Sequence, residues 1–94
     1  MNWIYLNREI CPGSSFNISP ENRAFRFADG CFESIRIMEA LPVFWNKHME
    51  RLLETAAFLQ IQLPIPTEKI LEIAKELIHR NEIQLGGKIR IMLF

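Results

Sequence analysis

The chain has 94 residues, and its eleven basic and eleven acidic side chains cancel. This length allows one small domain. The composition, with 49% hydrophobic and 23% charged residues, is typical of a globular protein rather than a disordered one. Charge balance gives no basic surface for a nucleic acid, and no apolar run approaches the roughly 18 residues of a membrane span. We therefore expect a single domain with neither a nucleic-acid nor a membrane partner.

The first 13 residues, MNWIYLNREICPG, lack the basic start and the long apolar stretch of a secretion signal. Two cysteines, Cys11 and Cys31, are too few for a disulfide scaffold. His48 and His79 do not add ligand spacing for a metal site. These features predict a cytoplasmic protein with reduced thiols and no bound metal.

The first part of the chain predicts short strands between turns. Residues 3–10 alternate as a strand that ends at Pro12-Gly13, and residues 16–19 fit a second short strand. Residues 25–28 form a short apolar run before Asp29-Gly30, a dipeptide typical of a hairpin turn.

Residues 31–38 give the clearest strand, and residues 39–42 predict a turn that returns the chain as a hairpin partner at 43–45. Because strand side chains alternate between faces, Phe32, Ser34 and Arg36 share one face. Glu33 lies on the other face, together with Cys31 and Ile35.

Two amphipathic helices follow. The first is predicted to begin at Asn46 as its N-cap, the second at Thr67, and the prolines of QIQLPIP separate them. Their apolar stripes are Met49, Leu52, Leu53, Ala56 and Ala57 in the first helix and Ile70, Leu71, Ala74, Leu77 and Ile78 in the second. His79 and Arg80 suit the last turn of the second helix.

Gly86-Gly87 is predicted to turn the chain into a final strand that carries Ile89, Ile91 and Leu93 on one face. The order of elements predicts an α+β fold, a mixed and mostly antiparallel sheet with two helices packed on one face. Since the sequence stops at Phe94 inside an apolar strand, we expect either a truncated chain or a partner that covers this strand.

Arg51, in the segment HMERL, has two interpretations. It could pair with Glu54 on the helix surface, or its bidentate guanidinium could hold a phosphate or carboxylate. The face with Phe32, Ser34 and Arg36 is either a solvated strand face or a pocket that holds an anion against an aromatic wall.

Glu33 and His48 favour structural roles by their local sequence. For Glu33 we expect a buried carboxylate paired with the backbone or with a cation. His48 has no acid or nucleophile beside it in the sequence, so a structural or surface role is expected.

Three segments in order, NRAFRFADGCFESIR, PVFWNKHMERLLETAAFLQIQLP and GGKIRIMLF, resemble the pyridoxal-phosphate enzymes of fold type IV. These are the D-amino-acid aminotransferases, the branched-chain aminotransferases and the aminodeoxychorismate lyases. Their N-terminal domain reads R-x-F-x-[FY]-G-D-G-V-F-E, then a hairpin, then H-x-x-R-L, two helices and a strand. The resemblance covers nearly the whole chain, with Ala28 replacing the usual glycine and Cys31 the usual valine.

The resemblance implies that Arg51 binds the phosphate of pyridoxal 5'-phosphate and that Phe32, Ser34 and Arg36 face the substrate. It implies a homodimer acting on an amino acid and a 2-oxo acid. The lysine that carries the cofactor would lie beyond Phe94, since none of the lysines here occupies a matching position: Lys47, Lys69, Lys75 and Lys88. No catalytic residue is therefore expected within residues 1–94, which would form the small N-terminal domain without its catalytic partner domain and would be inactive alone.

The substrate stays open at this point. Phe32 with Arg36 is closer to the branched-chain and lyase members, whereas the nearly gap-free spacing is similar to the D-amino-acid enzymes. Three hypotheses follow: an aminotransferase, an aminodeoxychorismate lyase, or a non-enzymatic interaction module that retains the fold.

Overall fold

The computed structural model describes residues 2–17, 19, 21 and 30–93. Its elements in chain order are β1 (Trp3–Leu6), β2 (Glu9–Pro12), a single 3-10 turn (Gly13–Ser15), β3 (Cys31–Met38), β4 (Leu41–Pro42), α1 (Trp45–Phe58), α2 (Thr67–Arg80) and β5 (Gly86–Leu93). The predicted α+β class is confirmed. Neither helix of this described part is long and apolar enough to cross a membrane.

Strand β3 is the centre of a three-stranded sheet of order β4-β3-β5. All strand pairs in the described residues are antiparallel, and β5 pairs with β3 over its whole length, from Cys31 opposite Leu93 to Met38 opposite Gly86. Burial alternates strictly along β3, so that one face packs into the core and the other stays open. The strand predicted at 31–38 is confirmed with its two faces as expected.

The strand predicted at 3–10 is wrong, because this segment is a hairpin. β1 and β2 pair antiparallel, with Leu6 opposite Glu9. The chain reverses at Asn7 and Arg8, whose φ angles of 47° and 84° are both positive. Such two-residue turns match the twist of the flanking strands, and they usually carry glycine. No glycine marks this turn, so the local sequence did not indicate it.

The hairpin after β3 is tighter than predicted. Glu39 and Ala40 form the turn with positive φ, and Leu41 and Pro42, rather than residues 43–45, pair with β3. Only the amide of Val43 adds one more bond, to the carbonyl oxygen of Arg36 at 2.8 Å.

Both predicted helix caps are wrong, the first by two residues and the second by one. Helix α1 has Phe44 as its N-cap, in the left-handed conformation, and Asn46 is already helical. Helix α2 has Pro66 as its N-cap, and Thr67 is its first helical residue. Neither N-cap side chain bonds the helix backbone, so neither helix start carries the Ser, Thr, Asn or Asp signal of a side-chain cap.

The two helices end in the same way. After α1, Gln60 adopts positive φ, and the amide of Ile61 donates to the carbonyl oxygen of Ala56 at 2.8 Å. After α2, Glu82 adopts positive φ, and the amide of Ile83 reaches back in the same manner. This pattern satisfies carbonyl groups left open at a helix end and places an apolar residue back against the last turn.

A turn was predicted at Gly86-Gly87, and this prediction is wrong. The two glycines are the first residues of β5. A Cβ on Gly87 would lie 3.0 Å from Cγ2 of Ile83, so the glycine lets the start of the strand approach the segment that follows α2. The strand face predicted at Ile89, Ile91 and Leu93 packs against the core and is confirmed.

Helix α1 covers the inner face of β3. Ile35 and Leu52 are almost completely buried there, with Met49 and Ala56 beside them. The predicted stripe of α1 is only partly correct, because Leu53 is 44% exposed and Ala57 is also exposed. The core-facing stripe is therefore narrower than the sequence predicts.

The N-terminal hairpin is tied to the end of α2. The side-chain amide of Asn81 accepts a hydrogen bond from the Trp3 amide at 2.8 Å and donates one to the Trp3 carbonyl oxygen at 3.0 Å. The guanidinium of Arg80 lies over the Trp3 ring, 5.1 Å from its centre. Asn81 thus pairs with β1 as a neighbouring strand would.

Several predictions fall on residues outside those described: the apolar run 25–28, Ala28, Asp29 and Phe94. Of the short strand predicted at 16–19, Ile18 also lies outside, and Phe16, Asn17 and Ser19 are not in a strand.

We expect Leu52→Ala to lower the free energy of unfolding by about 2–5 kcal/mol, because it opens a cavity at the contact between α1 and β3. Leu53→Ala is the matched control on the same helix, and it should cost less than about 1 kcal/mol since this side chain is already half exposed. Urea unfolding of the two variants measures both values. Equal losses would contradict the packing described here.

Candidate functional site

The central feature of the candidate site is a buried carboxylate. Glu33 points from β3 into the inner face, where it is 5% exposed and is the one buried charged side chain among the described residues. A carboxylate in such a position is costly unless cations or hydrogen-bond donors surround it. Its prediction as a paired, buried carboxylate is confirmed.

Two side chains of α1 supply the donors. Arg51 Nε donates to Oε2 of Glu33 at 2.8 Å, and Arg51 Nη2 donates to Oε1 at 2.7 Å, which makes a bidentate pair. His48 Nδ1 lies 2.6 Å from the same Oε1. Positions 48 and 51 are three residues apart on the helix, so both side chains face β3.

The electrostatics of this cluster follow from the same contacts. The hydrogen bonds from Arg51 outweigh the opposing effect of burial, and with those from His48 they lower the pKa of Glu33 from 4.5 to about 2. The carboxylate in turn raises the pKa of Arg51. Because an ionised carboxylate only accepts hydrogen bonds, Nδ1 of His48 must carry a proton in this contact.

Arg51 keeps part of its guanidinium free. The two bonds to Glu33 use the Nε and Nη2 edge, and an arginine has five N–H groups in total. About two-thirds of the side chain, 66%, is exposed although its partner is buried. Apart from the bond from Nη2 to Glu33, the edge formed by Nη1 and Nη2 makes no hydrogen bond to a described residue. A planar fork of this kind suits a phosphate or carboxylate.

The surface pair of Arg51 with Glu54, one of the two sequence interpretations, does not form: Arg51 pairs with Glu33 across 18 positions of the chain. The sequence showed no acid beside His48, whereas the fold supplies one, Glu33 of β3, which is consistent with the structural role expected for this histidine. The alternation of the strand and the spacing of three on the helix were the signals that could have joined Glu33 to His48.

The open face of the sheet carries the other predicted residues. Phe32, Ser34 and Arg36 lie there together, with Phe32 60% exposed and Ser34 half-buried. Opposite them on β5 stand Met92, Arg90 and Lys88.

This open face is cationic. The guanidinium of Arg90 lies 5.5 Å from the centre of the Phe32 ring, and Arg36 lies directly opposite Lys88. Like charges placed opposite each other destabilise a sheet. None of these three cations forms an ion pair with a described residue. An anion bound on this face would relieve their repulsion.

The structure does not bring all the predicted residues into one cluster. Arg51 lies on the helix side of β3, whereas Phe32, Ser34 and Arg36 lie on its opposite face. Within the described part of the chain, no hydrogen bond or ion pair links the two groups. The strand is the element they share.

Other candidates for chemistry are weaker. Burial raises the pKa of the Cys31 thiol, and the nearby Glu33 carboxylate acts in the same direction, so this thiol is a poor nucleophile. The described residues hold no group of three or more His, Cys, Asp and Glu side chains that could bind a metal ion.

The lowered pKa of Glu33 predicts a stability loss in acid. A carboxyl group with a depressed pKa stabilises the fold fully above its ordinary value of 4.5, and this contribution disappears as the pH falls towards about 2. Between about pH 6 and about pH 3 the loss should be roughly 2 kcal/mol. Urea unfolding at the two pH values measures it.

Glu33→Gln should reduce this acid-induced loss, because the variant has no carboxyl group to titrate there. Glu50→Gln, which removes an exposed carboxylate from α1, is the control and should keep the pH dependence of the wild type. If Glu33→Gln kept that dependence as well, the cluster would not be the source of the acid sensitivity.

Comparison with known proteins shows which family the chain belongs to. The sequence model for amino-transferase class IV matches residues 30–94, which include β3, both helices and β5. The D-alanine aminotransferase of Staphylococcus haemolyticus is 30% identical over 87 residues, which cover 93% of this chain. The D-alanine aminotransferase of Listeria monocytogenes strain 10403S is 25% identical over 84 residues. The chain spans about 31% and 29% of the lengths of these relatives.

Solved structures agree with the sequence match. The T.th. branched-chain amino acid aminotransferase, in its structure with pyridoxamine 5'-phosphate, superposes on 97% of this chain with a TM-score of 0.87 and 25% identity. A Legionella pneumophila protein described as a 4-amino-4-deoxychorismate lyase covers 85% with a TM-score of 0.76 and 26% identity. The chain matches 31% and 29% of those two structures. Since the family model matches more than half of the sequence, the chain belongs to the class IV amino-transferase family.

Proposed function

We propose that residues 1–94 are the small N-terminal domain of a pyridoxal-phosphate-dependent aminotransferase, which moves an amino group between an amino acid and a 2-oxo acid. The observation that carries this proposal is the arrangement of Arg51. Its guanidinium is fixed on one edge by a buried carboxylate and open on the other, in a chain that belongs to the class IV amino-transferases.

The donor set suits the phosphate of pyridoxal 5'-phosphate. The free edge of Arg51 offers parallel N–H groups to two phosphate oxygens, and an arginine stays charged at any working pH. When bound, the cofactor supplies an aldehyde that captures the amino group and a ring that withdraws electrons from it. The branched-chain relative holds pyridoxamine 5'-phosphate in its structure, which supports this cofactor for the present protein.

Arg51 in this proposal binds and orients the cofactor and does no chemistry itself. The cofactor lysine and the catalytic domain come from outside residues 1–94, so this domain alone should not transaminate. Phe32, Ser34 and Arg36 form the substrate side. The cation of Arg36, which pairs with no acid among the described residues, suits the carboxylate of an amino acid.

The substrate class is proposed from the relatives. Two are D-alanine aminotransferases and one is a branched-chain aminotransferase, so we propose amino transfer from an amino acid of one of these two kinds. We also propose that the complete protein is a cytoplasmic homodimer.

A lyase is the second candidate, favoured by the structural match to the Legionella protein. The complete natural protein, supplied with aminodeoxychorismate, would release pyruvate if it were a lyase. An aminotransferase would instead form a new amino acid from a 2-oxo acid and an amino donor. We expect amino transfer, and pyruvate release without amino transfer would contradict the first proposal.

Arg51→Ala in the complete natural protein should cause it to lose pyridoxal 5'-phosphate on dialysis, because the phosphate loses its fixed cation. The absorbance of the bound cofactor and a titration of its affinity measure the effect, which should be on the order of tenfold or more. Arg80→Ala, on the far end of α2, is the control and should retain the cofactor.

Cofactor retention equal to that of the wild type in Arg51→Ala would show that Arg51 does not hold the phosphate. A complete protein that bound no pyridoxal 5'-phosphate at all would favour the interaction module over both enzymes.

A further inference from the structure

We propose that Glu33 is a positioning residue for anion binding: with His48 as a second support, it fixes the Arg51 guanidinium so that the Nη1 and Nη2 edge faces the phosphate. This inference rests on the proposed function, in which Arg51 binds the cofactor phosphate. It assigns a role to two side chains that would not themselves touch the cofactor.

The first observation behind this proposal is that Glu33 occupies one edge of the Arg51 guanidinium and leaves the other edge open. Glu33 takes the Nε and Nη2 edge with two bonds of 2.8 and 2.7 Å, which fixes both the position and the plane of the group. Three N–H groups remain, and two of them point in parallel from Nη1 and Nη2. A second anion on that edge meets a fork that has already been oriented, so it loses less conformational entropy on binding.

The second observation is that Glu33 is itself held in place, by the strand that carries it and by His48. Its backbone lies in the central strand β3, paired opposite Ile91 of β5, and its side chain is buried. His48 donates to the same oxygen, Oε1, that accepts from Arg51 Nη2, so the carboxylate is held from two sides. A solvent-exposed arginine side chain is thus anchored to the central strand of the sheet.

Charge alone would give the opposite effect. The carboxylate of Glu33 offsets the charge of Arg51, so an account based only on net charge predicts that removing it strengthens phosphate binding. A positioning role predicts weaker binding, because an amide at position 33 can accept only on one side and presents an N–H to the other nitrogen of the arginine. The sign of the change therefore separates the two accounts.

The test uses Glu33→Gln in the complete natural protein, with pyridoxal 5'-phosphate and inorganic phosphate as separate probes. We expect both affinities to fall on the order of tenfold, since the charge-assisted fork is lost. Inorganic phosphate, titrated against the protein freed of cofactor, reads the anion site without any enzymatic activity. Unchanged or tighter binding of both probes would overturn the proposal.

The His48 variants keep the test decisive if Glu33→Gln fails to fold. His48→Asn retains an N–H near the position of Nδ1, whereas His48→Leu retains volume without a donor. We expect phosphate affinity close to the wild type in His48→Asn and a clear loss in His48→Leu at matched unfolding temperature. Equal affinity in His48→Leu and the wild type would contradict the positioning role.

Arg51→Ala separates this inference from the proposed function. Loss of cofactor in Arg51→Ala, together with wild-type affinity in Glu33→Gln and His48→Leu, would leave Arg51 as the phosphate ligand and remove only the positioning role. Full retention in Arg51→Ala would remove the phosphate assignment itself.

Discussion

The buried carboxylate of Glu33 is the constraint on which the candidate site depends. Once β3 turns this side chain inwards, the fold must supply cations to it, and α1 does so with Arg51 and His48. The pairing therefore fixes how α1 lies along β3, since a shift of the helix by one residue would separate both donors from the carboxylate. This contact links the placement of the site to the apolar packing of α1 on β3.

Strand β3 carries residues of different kinds on its two faces. Towards the core it presents Ile35 and Ile37 for packing, and Glu33 lies on the same face two residues before Ile35. Towards solvent it presents Phe32 and Arg36, which share the open face with the cations of β5. Groups held on a central strand and a packed helix are positioned more rigidly than groups on loops. This rigidity suits the phosphate site proposed at Arg51.

The sequence predicted the elements better than the connections between them. The alternation of β3 and most of the two helical stripes were predicted, because burial imposes a fixed period on a strand or a helix. Leu53 and Ala57 of the α1 stripe are exposed instead. The turn at Asn7-Arg8 adopts positive φ without glycine and was not predicted. A turn was predicted at 39–42, but its reversal at Glu39-Ala40 and the short strand that follows were not. The N-cap predicted at Asn46 was wrong because the chain enters α1 through Phe44, a residue type that rarely adopts positive φ and whose side chain cannot cap a helix.

The sequence named candidate site residues one by one but did not predict how they are arranged. Arg51 was singled out through its motif, whereas its partner Glu33 is 18 positions away and could be found only by placing a strand against a helix. The grouping of Phe32, Ser34 and Arg36 followed from strand periodicity. Their separation from Arg51 by the strand itself became visible only in three dimensions.

The most direct measurement is a crystal structure of the complete natural protein with pyridoxal 5'-phosphate bound. Our account predicts that phosphate oxygens lie on the Nη1 and Nη2 edge of Arg51 while Glu33 keeps the Nε and Nη2 edge. A phosphate held by other residues, with Arg51 turned away or released from Glu33, would contradict it.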